Sequence, residues 1–486
     1  MERNERFLHI AESLKPTLLE KKTQAVNADA CCGKQLSAGD CLCLDFGNHL
    51  VGKVTLKFGY TGSHPDAPAW IRLKFAEREC ELYENAENYH GWISKGWIQQ
   101  EQLHIDVLPS EIYLPRRYAF RYLQIEVLDV SSKYQLKLED AFCIATTSAD
   151  DSLLRSFAGT PQQVQLDQIA CHTLRECMQD VFEDGPKRDR RLWLGDLRMQ
   201  ALANYETFQN YGLVKRCLYL FAGTTQTQGR VGACLFTEPE IQVDDTTMFD
   251  YSLFFIPALL DYYKATGDLE TLKDLAPTGL RQIELAQASF DGKGLVKDSD
   301  VLGWCFVDWN LRLNKQASAQ GIYLYCAKAA MEIATILGMD TAKLEADYAA
   351  KKAAAEELWN GEFYVSGDNK QISWASQVWM VLGGAEHADA VLLQRLEHCC
   401  EAEGMVTPYM YHNYVDALLS VGEKEKALEV LCDYWGGMMD QGADTFWELY
   451  NPENPNESPY GGTIVNSYCH AWSCAPAYFL RKFLGV

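Results

Sequence analysis

The sequence predicts two domains: an N-terminal antiparallel β-sandwich over residues 1–160, with a helical or irregular leading segment, and an all-α (α/α)6 toroid of helical hairpins over residues 161–486. Three observations predict this. Apolar and polar residues alternate between about 38 and 147, the period becomes helical after about 160, and glycines recur where one helix ends and another begins.

The first thirty or so residues carry Ile10, Leu14, Leu18 and Leu19 on a loose helical spacing. Strands follow at Cys41–Phe46, Val54–Phe58, Ile71–Phe75, Leu103–Val107 and Tyr122–Val127, separated by turn residues such as Gly59, Gly62, Pro65 and Pro109. Short strands at this spacing make a sandwich. Trp70, Trp92 and Trp97 of this region read as core residues in preference to an accessory sugar surface.

Beyond residue 160 the spacing predicts helices at Gln162–Phe182, Tyr251–Thr266, Ala317–Leu337, Met339–Trp359, Ser373–Leu382, Tyr411–Val421 and Glu423–Trp435. Gly267, Gly338, Gly383 and Gly422 stand where a left-handed residue would let the chain reverse. The length leaves room for roughly a dozen helices. No fixed repeat is visible, which favours a closed ring over an open solenoid.

Composition narrows the function. A chain of 486 residues with 48% hydrophobic and 12% aromatic content is too long for one ordinary core and far from disordered. Its 67 acidic against 44 basic residues give a net charge of −23, which repels phosphate backbones and anionic lipid. Nucleic acid and membrane are therefore not expected as partners. No apolar run long enough to span a bilayer occurs, and the charged N-terminus lacks a secretory pattern, so a cytoplasmic location is expected. Seventeen cysteines without paired spacing read as reduced, mostly buried thiols, and a metal is not expected. A homo-oligomer is compatible with the sequence, which does not set the copy number.

Four loop-like stretches of the helical half place carboxylates beside tryptophan: Asp184–Asp196, Trp304–Trp309, Gly442–Tyr450 and, with a histidine, Ser467–Trp472. A pyranose stacks its C–H face on an aromatic ring while carboxylates accept from its hydroxyls. Cleaving a glycosidic bond needs two further carboxyl groups, one protonated and one ionised, and the stretches around Asp189 and Glu448 can supply one each. Taken singly, each has a plainer reading: loop ion pairs for Asp184, Asp189 and Asp196, a surface carboxylate for Glu448, core packing for Trp193, Trp309 and Trp447, and a satisfied polar group for His470. Four such loops in one domain make a site hypothesis.

The pattern Asp184-x-Pro186-x-Arg188-Asp189-Arg190-x-x-Trp193-x-Gly195-Asp196 resembles the signature loop of glycoside hydrolase family 78, the α-L-rhamnosidases of the six-hairpin glycosidase clan. Trp447-Glu448 resembles its second catalytic loop, and Asp308-Trp309 and Ser467–His470 are similar to its other landmarks. The likeness covers residues 160 to 486 in order, behind a β-sandwich. It implies inverting hydrolysis of a terminal α-L-rhamnoside, or a similar deoxy-sugar glycoside, without an organic cofactor. Asp189 would be the general acid and Glu448 the general base, their carboxyls about 6.5–9.5 Å apart. Asp184, Arg188, Trp193, Asp196, Asp308, Trp309, Trp447 and His470 would bind substrate.

One position departs from the family, whose usual acid is a glutamate. The shorter Asp189 withdraws its carboxyl by about one C–C bond, ~1.5 Å, so either the backbone compensates, the substrate differs or activity has faded. For Asp189 to hold a proton, Arg188 and Arg190 are expected to point at Asp184 or Asp196 instead. The rival readings are a retired sugar-binding protein of the same fold and a helical scaffold for a basic partner. A cytoplasmic hydrolase would take a small oligosaccharide or glycoside.

Overall fold

The computed structural model describes residues 1–298 and 304–484; positions 299–303, 485 and 486 of the expected toroid lie outside the described residues. The β-domain contains β1 (Leu19–Gln24), β2 (Gln35–Leu36), β3 (Cys41–Gly62), β4 (Ala69–Ala76), β5 (Gln100–Ile105), β6 (Ser110–Tyr113), β7 (Tyr118–Asp129) and β8 (Tyr134–Thr147), all paired antiparallel.

The expected strands at Cys41–Phe46 and Val54–Phe58 are halves of one strand. β3 shifts register between Asp45 and Leu50, around Gly47 at φ +85°. Its first half pairs with β7 and its second with β8, so one strand joins the two flanks of the eight-stranded sheet. Leu42, Leu44 and Phe46 of one half and Val54, Leu56 and Phe58 of the other meet Ile71, Leu73, Ile125 and Leu136 in a common core. Alternation put these side chains on one face, as a half-buried strand requires.

The leading segment differs from expectation. Leu19–Gln24 is a strand, almost wholly exposed, so it offers no burial period to read. Before it, α1 (Glu5–Ser13) is capped by the Asn4 side chain and buries Phe7, Leu8 and Ala11 in the helical domain's core, although the boundary at 160 groups it with the sandwich. Core packing is also not the role of Trp70 and Trp92. Trp70 stacks on His104 at the surface, and Trp92, 69% exposed, sits on a segment between β4 and β5 that reaches across to the toroid; Trp97 is half-buried.

Twelve α-helices form the helical domain among the described residues: α2 (Pro161–Cys177), α3 (Leu194–Glu206), α4 (Tyr211–Gly223), α5 (Phe249–Thr266), α6 (Leu269–Ala286), α7 (Gln316–Ile336), α8 (Ala342–Ala354), α9 (Trp374–Gly383), α10 (Ala390–Leu396), α11 (Pro408–Ser420), α12 (Lys424–Asp440) and α13 (Ala475–Phe479). Thr160 and Gln163 start α2 with reciprocal side-chain caps. α3 has no counterpart among the expected helices because nearly every residue in it is buried, which leaves no polar face to mark a period. Gly267, Gly338 and Gly422 take the left-handed conformation expected of them, but after α9 that residue is Gly384. Gly383 remains helical, and a Cβ there would come within 2.7 Å of the Gly321 carbonyl, so it serves the close approach of α9 to α7.

All seventeen cysteines are free thiols. Among the described residues no helix is long and apolar enough to cross a membrane.

Candidate active site

The loop between α2 and α3 closes on itself through two contacts of Asp184. Its N–H donates to the Arg191 carbonyl and its Oδ1 accepts from the Arg191 N–H, each at 3.1 Å. Gly185 lets this loop touch the one before α13, since a Cβ there would lie 2.7 Å from Ser467 Oγ and 3.1 Å from His470 Nδ1. Two successive residues, Asp189 and Arg190, have φ of +64° and +55°. A left-handed pair without glycine costs on the order of 1–3 kcal/mol per residue and persists only where its surroundings fix it.

The neighbouring side chains do the fixing. Arg188 Nη2 pairs with Glu448 Oε2, and its guanidinium lies 4.0 Å above the Tyr460 ring. Arg190 donates to the Arg117 carbonyl of the β-domain at 2.8 Å. The expectation that these arginines point at Asp184 or Asp196 is therefore not met. The left-handed turn separates them, Arg188 pairing with Glu448 in the cavity lining and Arg190 reaching the β-domain. Neither pairs with Asp189, which forms no ion pair among the described residues.

A cavity of about 200 Å³ brings together Asp184, Arg188, Asp189, Trp193, Asp196, Trp309, Glu448 and His470. Burial, then the nearby Asp189 and Asp196, raise the Asp184 carboxyl well above the ordinary aspartate range. Burial also raises Asp196, against the opposing effect of His470, whose Nε2 lies 3.0 Å from Asp196 Oδ1. Glu448 is engaged on both oxygens, by Arg188 on Oε2 and by the Tyr460 hydroxyl on Oε1. Burial works against the charge of Arg188, but Glu448, Tyr460 and Asp189 together raise its pKa.

Two expected substrate ligands stand elsewhere. Asp308 does not line the cavity: its carboxylate accepts from the Thr407 hydroxyl at 2.6 Å and from the N–H groups of Val406 and Trp309 at 2.9 Å, pinning neighbouring loops. Trp447 is 1% exposed behind the wall, with the Arg78 guanidinium 4.2 Å from its ring. Conversely, Trp92, Tyr251 and Tyr460 line the cavity without having been singled out for it, beside Trp304, Phe306 and Trp472 of the quoted stretches. For Tyr460 the available signal is the Pro459–Gly462 turn in an acidic loop; for Trp92 it is an isolated tryptophan in a run without alternation.

The arrangement can do acid–base chemistry on a sugar. Three aspartates and a glutamate held as a hydrogen-bond acceptor line one cavity, and indole rings supply stacking faces. Among the described residues no group of three or more His, Cys, Asp or Glu side chains could hold a metal ion.

Comparison with known proteins agrees with this architecture. Residues 11–145 match the glycosyl hydrolase family 78 alpha-rhamnosidase N-terminal domain, and residues 160–484 match the bacterial alpha-L-rhamnosidase 6 hairpin glycosidase domain. No curated protein matches the chain. Among solved structures, a rhamnosidase from Klebsiella oxytoca with rhamnose bound is 43% identical over 99% of each chain, with a TM-score of 0.96. The family 78 rhamnosidase of Bacillus sp. GL1 shares the fold at 22% identity and a TM-score of 0.76, over 91% of this chain and 46% of that one. The Streptomyces avermitilis α-L-rhamnosidase complexed with L-rhamnose does so at 17% and 0.68, over 96% and 44%. The chain thus spans nearly the whole of the first and about half of the other two. It belongs to glycoside hydrolase family 78, the α-L-rhamnosidase family of six-hairpin glycosidases.

Proposed function

We propose that the protein hydrolyses the terminal α-L-rhamnosyl bond of small glycosides with inversion, Asp189 acting as general acid and Glu448 as general base. The observation that carries this reading is the convergence, on one cavity, of the Asp184–Asp189–Asp196 cluster and Glu448, in a chain 43% identical to a rhamnosidase with rhamnose bound.

Asp189 gives its proton to the glycosidic oxygen as the bond to the anomeric carbon breaks. A water on the opposite face loses a proton to Glu448 and forms the new C–O bond, leaving Asp189 ionised and Glu448 protonated. The left-handed backbone at Asp189 supports compensation for its short side chain, turning the carboxyl into the cavity. Asp196, paired with His470, and Asp184 are placed to engage sugar hydroxyls, and Trp193 and Trp309 to stack on the ring. The free state of every cysteine supports a cytoplasmic setting, where small imported glycosides are the available substrates.

The test is hydrolysis of an aryl α-L-rhamnoside beside a panel of other aryl glycosides, with the product anomer followed by NMR. Release of β-L-rhamnose first, abolished in Asp189→Asn and Glu448→Gln, is expected. The α anomer first would replace inversion with retention, and release from another sugar would move the specificity. Sugar binding without turnover would make this a retired binding protein.

A further inference from the structure

A second buried charged cluster lies behind the loop that carries Asp189, where the β-domain meets the toroid. Lys187, 1% exposed, pairs with Glu81 Oε2, donates to the Asn466 carbonyl at 2.8 Å and lies 3.9 Å from Glu77 Oε2. Glu77 accepts from the Tyr468 N–H at 2.6 Å, and its other oxygen is 3.0 Å from His49 Nε2. The second oxygen of Glu81 accepts from the N–H groups of Glu77 and Arg78, each at 3.1 Å. Glu77, Glu81 and His49 are all buried.

The partners of this cluster are the supports of the cavity. Lys187 directly precedes Arg188 and Asp189. Asn466 and Tyr468 flank Ser467, whose carbonyl accepts from the Glu448 N–H at 3.0 Å, and His470 follows. The segment Glu77–Glu81 belongs to the β-domain, so the contacts cross the domain boundary.

We propose that Glu77, Glu81 and Lys187 are positioning residues for glycoside hydrolysis: Glu77 and Glu81, from the β-domain, hold Lys187 and with it the backbone that aims Arg188 at Glu448 and Asp189 into the cavity. The inference rests on the proposed hydrolase reading of that cavity. An apolar contact would join two domains without the desolvation that buried charges suffer. The charges add direction, because the ammonium has acceptors set around it and one of them, the Asn466 carbonyl, belongs to the opposite loop. The left-handed pair at Asp189 and Arg190 needs such restraint, and Lys187 supplies it two residues upstream.

The experiment compares the full-length wild type with Glu81→Gln, Lys187→Ala and the apolar pair Glu81→Leu/Lys187→Met. It reads kcat and KM on 4-nitrophenyl α-L-rhamnoside, thermal stability, and crystal structures of Glu81→Gln and the apolar pair. Lys187→Ala is expected to lose stability. The apolar pair is expected to recover stability yet remain about 10- to 100-fold down in kcat with little change in KM, as second-layer supports usually behave. Its structure is expected to have Arg188 displaced from Glu448. Glu81→Gln, close in shape, is expected to show the same split more weakly. Wild-type turnover in the apolar pair, or Arg188 still on Glu448 in its structure, would overturn the inference, as would both in Glu81→Gln should the apolar pair not fold. A wild type inert on the rhamnoside would refute the hydrolase reading instead, and the Arg188–Glu448 pairing in the variants would still decide this one.

Discussion

Arg188 and Glu448 form an ion pair across the cavity, which ties the residue next to the proposed acid to the proposed base itself. Arg188 also covers Tyr460, whose hydroxyl holds the other oxygen of Glu448. Two side chains thereby fix one carboxylate.

Arg188→Lys keeps a charge but loses the planar fork that pairs with the carboxylate while covering the Tyr460 ring. Its kcat on an aryl rhamnoside is expected to fall by about 10- to 100-fold. Arg188→Ala leaves Glu448 buried and unpaired and is expected to lose about 3–5 kcal/mol of stability as well. Steady-state kinetics and chemical unfolding measure the two effects.

Asp184 and Asp189 are expected to differ widely in their tolerance of amide substitution. Burial and the neighbouring carboxylates hold Asp184 towards its protonated form, which an asparagine imitates, and Asn can still accept from the Arg191 N–H. Asp184→Asn should keep kcat/KM within about tenfold of wild type, whereas Asp189→Asn, with no proton to give, should lose about 10²- to 10⁴-fold. Equal losses in both would reassign the acid.

Trp92 comes from the β-domain and is 69% exposed, yet it lines the cavity and donates to the Pro459 carbonyl at 2.7 Å. Trp92→Ala should raise KM several-fold and leave the melting temperature almost unchanged, because little buried surface is lost. A fall in kcat with unchanged KM would remove Trp92 from the binding wall.

Asp308 sets a pH dependence of stability. Burial raises its carboxyl to about 6. A carboxyl raised on folding contributes stability that is fully present below its unfolded pKa, about 4, and is lost as pH rises through the folded value. The advantage of the wild type over Asp308→Ala should therefore narrow between about pH 4 and pH 6, by on the order of 2–3 kcal/mol, and stay level above. What remains reflects the Thr407, Val406 and Trp309 donors left without an acceptor, about 1–3 kcal/mol for each such group. Urea unfolding at stepped pH gives both numbers.

The sandwich and the ring were legible because burial on one face imprints a period, as in β4 or α2. Where burial is total, as in α3, or nearly absent, as in β1, no period exists to read. The loop from Asp184 to Asp196 stood out since its charges and tryptophan are poor filler for a turn. Asp308 carried the same appearance, an acid beside tryptophan, but its oxygens face backbone N–H groups, a difference set by loops that meet only in three dimensions. Trp92 packs its ring against Tyr460, beside a Tyr89–Tyr460 hydrogen bond that spans 371 positions, and nothing local announces that contact.

The wall shared by the two domains also bears on how such a chain can change over time. With Trp92 over the mouth and Arg117 holding Arg190, a substitution on one side of the boundary must be accommodated on the other. The β-domain is then part of the cavity's own wall, and substitutions in the two halves are expected to be coupled.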